Sequence, residues 1–101
     1  MCITFSKPSQ DVIETIESAY RFSKKIFHPN NIQFSILEKF RTREEFSLTY
    51  SECDFFYLLL EQYRKDLIRR KKDTPAHLDG YQFVCKYLSI VEDLLAFLED
   101  E

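Results

Sequence analysis

Hydrophobic positions fall into four stretches along the chain, and three of them have the period of a helix. From Gln10 to Phe27, the residues Val12, Ile13, Ile16, Ala19, Tyr20, Ser23, Ile26 and Phe27 recur on one side at about 100° per residue. Glu14, Glu17, Arg21, Lys24 and Lys25 take the opposite side, the mark of an amphipathic helix with one buried face. Ser9 is the natural N-cap and Asp11 suits the positive end of the dipole. Pro29 should stop this helix, with Asn30-Asn31 as a turn.

A second helix is predicted from Glu52 to about Lys72, with Ser51 as its N-cap and Asp54 in its first turn. Its first half, Phe55 to Leu60, is apolar nearly all round and needs cover on several sides. Its second half keeps Tyr63, Leu67 and Ile68 inside. Asp73-Thr74-Pro75 ends it.

The last helix, from about Tyr81 to Leu98, carries the most unusual pattern. Tyr81, Val84, Leu88, Val91, Leu95 and Leu98 form one stripe in steps of three and four. Phe83, Tyr87, Ile90, Leu94 and Phe97 form a second stripe beside it. Together they cover roughly 200° of the helix circumference, against an arc of little more than about 100° for an ordinary surface helix. The second stripe needs a cover: another part of this chain, a second copy, or a different protein. Large uncovered apolar patches are rare on monomers. These five residues are the candidate partner-binding surface, with the aromatics as anchors.

The stretch from Ile32 to Tyr50 reads two ways. Ile32, Phe34 and Ile36 alternate with polar residues, as do Phe46, Leu48 and Tyr50, which is the period of a half-buried strand. Arg41 to Glu44 would then be the turn of a hairpin, longer than two residues because it holds no Gly or Asn. Alternatively Ile32, Ile36, Leu37 and Phe40 have helical spacing, and Thr42 with Glu45 matches a capping box. The hairpin is preferred, and Ile3 with Phe5 can add a third strand. The expected fold is thus one α+β domain over residues 1–101: three main helices with a small antiparallel hairpin or three-stranded sheet, in the order (β)-α-β-β-α-α. An all-α bundle is the alternative.

Composition agrees. The chain of 101 residues holds one Gly and three Pro, so regular elements should be long and loops short. With 45% hydrophobic residues it can pack a core rather than remain disordered. The start, Met1 to Pro8, lacks the basic and apolar regions of a signal peptide. The longest apolar run, Phe55 to Leu60, falls far short of the roughly 18 residues a membrane span needs. Three separated cysteines, Cys2, Cys53 and Cys85, do not suit a secreted disulfide scaffold. A soluble, cytoplasmic protein is expected.

Candidate chemistry is sparse. His28 and His77 have no acidic or cysteine partner at ligand spacing, so no metal is expected. Cys53 in a first helical turn reads as a small buried hydrophobe before it reads as a nucleophile paired with His28. A single glycine, Gly80, cannot build a phosphate loop. Pairs such as Glu44-Glu45 and Glu92-Asp93 read as hydrated surface. No enzyme, no cofactor and no small-molecule substrate are inferred.

Charge adds a second hypothesis. Arg64, Lys65, Arg69, Arg70, Lys71 and Lys72 share one helix with only Glu61, Asp66 and Asp73 nearby. Cations belong at a helix C-terminus, so solubility alone accounts for them; as a site they would contact a phosphate backbone or an acidic partner. The overall charge of −3 argues against nucleic acid. From Gly80 onward, Lys86 faces Glu92, Asp93, Glu99, Asp100 and Glu101, an opposite pole that invites pairing between molecules. The leading function is therefore a non-enzymatic interaction or regulatory module, a homodimer or other self-associate. A nucleic-acid-associated regulator using the six cations is the alternative.

Overall fold

The computed structural model describes residues 3–6, 8–26 and 31–99. Cys2, Phe27, His28, the Pro29 stop, the Asn30 turn residue, Asp100 and Glu101 lie outside the described residues. The order is β1 (Ile3–Ser6), α1 (Gln10–Ile26), α2 (Asn31–Thr42), β2 (Glu45–Leu48), α3 (Tyr50–Asp73) and α4 (Asp79–Glu99). Among the described residues no helix is long and apolar enough to cross a membrane. The class is α+β, mostly helical with a small antiparallel sheet.

Helix α1 begins where the sequence places it: the Val12 amide donates to the Ser9 hydroxyl at 3.2 Å. Two polar side chains on its inner face, Thr15 and Ser23, are fully buried. Each turns back on its own helix, donating to the carbonyls of Asp11 (2.8 Å) and Tyr20 (2.6 Å), so neither hydroxyl is stranded.

The expected hairpin is corrected. Residues 31–42 form α2, a fourth helix, and the element order is β-α-α-β-α-α. Gln33, Ile36, Leu37 and Phe40 are its buried positions, spaced as one helical face. Phe34, which alternation would have buried, is 53% exposed. The helix wins because its apolar face packs against α1 and α3. The second half of the hairpin does form a strand, β2, with Phe46 and Leu48 inward. It pairs antiparallel with β1, Phe5 opposite Phe46 and Thr4 opposite Ser47. Tyr50 is not in that strand; it opens α3.

The start of α3 is also corrected. Its N-cap is Thr49, not Ser51. The Glu52 amide donates to the Thr49 hydroxyl (3.2 Å) and the Thr49 amide donates to the Glu52 carboxylate (2.9 Å). This is the capping box, rather than Thr42 with Glu45. The Thr42 hydroxyl donates instead to the Glu38 carbonyl at 2.7 Å.

One face of the β1-β2 pair lies on the core. Phe5 stacks on Phe46 with centroids 5.5 Å apart and meets Phe40 edge-on at 5.1 Å; Phe40 in turn packs on Phe56 at 5.5 Å. The dominant interhelical packing is α3 against α4. The two run antiparallel: the Tyr57 hydroxyl donates to Glu99 (2.7 Å) near one end, and Arg64 faces Glu92 (3.6 Å) further along. The hydrogen bond to Glu99 pushes the Tyr57 phenol up to about 12.

Candidate functional site

Helix α4 turns its first stripe, Leu88, Val91, Leu95 and Leu98, into the core. The second stripe, the candidate interface, is divided. Helix α1 runs antiparallel across it, bringing Val12 beside Ile90 and Leu94, and Phe22 beside Phe83 and Tyr87. Lys86 and Asp11 pair at 2.9 Å, which holds the Lys86 ammonium pKa above its ordinary value. Part of the stripe is thus covered by the chain itself: Leu94 is only 8% exposed, and Tyr87 and Ile90 are half-buried. Phe83 (58%) and Phe97 (39%) keep open faces. The structure therefore separates the five residues into two concave surfaces.

The first is an apolar groove of about 490 Å³ between α4 and β1. Ile90, Leu94 and Phe97 form one wall; Thr4, Phe5 and Ser6 form the other, closed at one end by Pro8 and Val12. Phe97 rests on Phe5 with ring centroids 5.2 Å apart. Asp93 is the one charged residue in the lining among the described residues. Among the described residues none from β2 lines the groove. β1 pairs with β2 alone, so its other edge is open among the described residues.

The second is a cleft of about 370 Å³ where α1, α3 and α4 meet. Leu67, Val84 and the rings of Phe22, Tyr63, Phe83 and Tyr87 line it. Phe22 and Tyr63 are in ring contact at 5.3 Å. Arg21, Lys25 and Arg70 stand at its edge. Burial pushes the Tyr63 phenol up, against the pull of the Ser18 hydroxyl and Arg70.

The six cations of α3 do not act as one patch. Arg69 and Arg70 both close on Asp66, at 2.6 and 2.8 Å, and Arg64 faces Glu92. Lys65, Lys71 and Lys72 are exposed and make no ion pair among the described residues. Cys53 sits half-buried under the first turn of α3, its Sγ 3.7 Å from the Leu48 carbonyl. His77 lies exposed in the α3–α4 connection. Among the described residues no group of three His, Cys, Asp or Glu side chains is arranged to hold a metal ion.

The sequence reading missed every contribution from outside α4. The groove needs Thr4, Phe5 and Ser6, more than eighty positions away, and nothing local links them to Phe97. The cleft had a weak signal: Ser18, Arg21, Phe22 and Lys25 share one helical face, mixing cations with an aromatic ring. No protein-family model, curated protein or solved structure matches the chain.

Proposed function

We propose that this protein is a non-enzymatic interaction module that self-associates through the groove between β1 and α4, with a second copy of the chain as occupant. The observation that carries this reading is the unpaired edge of β1 lying beside an apolar groove. An open strand edge is a template for pairing with another chain, and proteins commonly blunt one with charge or proline. The four residues Ile3–Ser6 contain neither, and Lys7-Pro8, next in sequence, limits such pairing to this short stretch. Among the described residues the surface next to it is apolar with one carboxylate, as at a charge-poor homodimer interface centre.

The same surface serves both copies. Antiparallel pairing of Ile3–Ser6 with itself extends the sheet to the order β2-β1-β1-β2 about a two-fold axis, the commonest symmetry of small homo-oligomers. It brings each half-exposed Phe97 against the partner's groove. The odd set of three cysteines supports a reducing compartment, and we assign the protein to the cytoplasm on that ground.

Light scattering over a concentration series tests the proposal. The expected result is a dimer mass that falls to the monomer mass in Phe97→Glu, with an unchanged far-ultraviolet circular dichroism spectrum. A wild-type chain that stays monomeric to about 0.5 mM, well above the micromolar affinities of stable interfaces, overturns it.

A further inference from the structure

The cleft where α1, α3 and α4 meet has a composition the groove lacks. Its lining combines aliphatic side chains with aromatic rings, and among the described residues its charged groups are all cationic: Arg21, Lys25 and Arg70. We propose that it binds a small anion carrying a flat ring, of the chemistry of an aryl phosphate or a mononucleotide.

Three features support this occupant. The first is size: about 370 Å³ falls at the lower end of the roughly 300–1,000 Å³ of small-molecule sites. The second is the set of rings. Phe83 stands 58% exposed at the cleft although α3 and α1 supply apolar surface nearby, and Tyr87 lies half-buried beside it. A planar ring seated between them covers Phe83 and gains the offset or edge-on contacts that aromatic pairs favour.

The third is the placement of charge. Arg21 comes from α1 and Arg70 from α3, so the cations of the cleft are supplied by two helices. The Arg70 Nε lies 2.8 Å from the Asp66 carboxylate, an ion pair without a hydrogen bond to Oδ2 that restricts the guanidinium and leaves its N–H groups able to donate. The Arg21 guanidinium donates to the Ser18 hydroxyl at 3.1 Å, which orients it in the same way. Lys25 has no carboxylate partner among the described residues. Arginine donors held in this way lose less freedom on meeting a phosphate than free side chains do. The ring and the anion are both needed: the rings alone would accept any flat apolar molecule, and the cations alone are partly exposed and screened by salt.

The full-length chain is titrated with phenyl phosphate, adenosine monophosphate, adenosine and inorganic phosphate, followed by amide chemical shifts. The expected result is saturable binding of at least one ring-bearing phosphate with a Kd below about 1 mM. Shifts should centre on Phe22, Tyr63 and Phe83 and spare Thr4 and Ile90 in the groove. Adenosine and inorganic phosphate should each bind at least about tenfold more weakly. Phenyl phosphate alone indicates a simple aryl anion, and the nucleotide alone a base-sized ring; either supports the site. The surface substitutions Arg21→Gln and Lys25→Gln together should weaken binding about tenfold or more with the thermal midpoint unchanged. Three results overturn the proposal: no saturation by either ring phosphate, equal binding of inorganic phosphate, or shifts confined to the groove.

Discussion

The Lys39 ammonium lies 2.6 Å from the Glu52 carboxylate, joining α2 to the first turn of α3. The same ammonium donates to the Ser47 carbonyl of β2 at 3.0 Å, and Ser35 donates to the other Glu52 oxygen at 2.7 Å. A mostly buried carboxylate is thus the point where α2, β2 and α3 are tied together. Burial alone would raise its pKa. The hydrogen bonds from Lys39, the Thr49 amide and Ser35 outweigh that cost and hold it down at about 2.

This predicts an acid-sensitive stability. The folded-state pKa lies below that of the unfolded chain, so the contribution is whole above about pH 4.5 and is lost as the pH falls toward about 2. The full shift corresponds to the order of 3 kcal/mol. Urea unfolding of the wild type and Glu52→Gln should show a clear gap at pH 7 that closes progressively between about pH 5 and pH 2.5. A gap of the same size at both ends of that range would remove Glu52 from the explanation.

A pair of substitutions tests the identity of residues 31–42. Phe40 is fully buried among Phe5, Phe46 and Phe56, and Phe40→Ala should cost about 3–5 kcal/mol. Phe34 faces away from the core, and Phe34→Ser should change stability by no more than about 0.5 kcal/mol. Thermal unfolding should therefore separate the two variants widely. A hairpin burying Ile32, Phe34 and Ile36 predicts a large loss for Phe34→Ser.

That contrast shows what local pattern can decide. The helices α1, α3 and α4 were legible because each is long and repeats its apolar spacing over several turns. The segment 31–42 was not, because Ile32, Phe34 and Ile36 fit a strand as well as Ile32, Ile36, Leu37 and Phe40 fit a helix. The choice rests on packing against α1 and α3 and on the Lys39–Glu52 tie, both distant in sequence. The capping box failed for a similar reason. Thr42 to Glu45 and Thr49 to Glu52 have the same spacing, but the first pair lies where a strand must begin. The α+β class was legible from the alternation at Ile3–Phe5 and Phe46–Leu48, although the pairing between them was not. At the site, the second stripe of α4 was legible as excess apolar surface. Its division into groove and cleft was not, because that depends on where α1 crosses.

The division has its own consequence for two neighbouring leucine and phenylalanine positions. Leu94 is buried by the chain itself, so Leu94→Glu places a carboxylate in an apolar setting and should unfold the protein or cost several kcal/mol. Phe97 has one face on Phe5 and the other open, so Phe97→Glu should stay folded with a smaller loss. Circular dichroism and a urea midpoint for each variant check this. Equal tolerance at both positions would mean that Leu94 is not part of the core.

Asp66 decides what the basic end of α3 can do. One carboxylate, itself nearly buried, holds both Arg69 and Arg70, and Arg64 faces Glu92. Half of the six cations therefore face a carboxylate that offsets their charge toward a long polyanion, and the exposed remainder, Lys65, Lys71 and Lys72, supplies at most a few phosphate contacts. Affinity of that kind falls steeply with salt. Duplex DNA should bind weakly at low ionic strength, and binding should vanish near 150 mM salt. Asp66→Asn removes the shared counter-charge and frees two guanidinium groups. It should raise low-salt DNA affinity and steepen the salt dependence by up to about two phosphate contacts, while lowering stability by roughly 1 kcal/mol through the lost charge-assisted bond to Arg69. Fluorescence anisotropy with a labelled duplex, read at two salt concentrations, makes the comparison. Tight wild-type binding that persists at the higher salt, unchanged by Asp66→Asn, would mean that the arginines reach phosphate despite Asp66 and would restore nucleic acid as the partner.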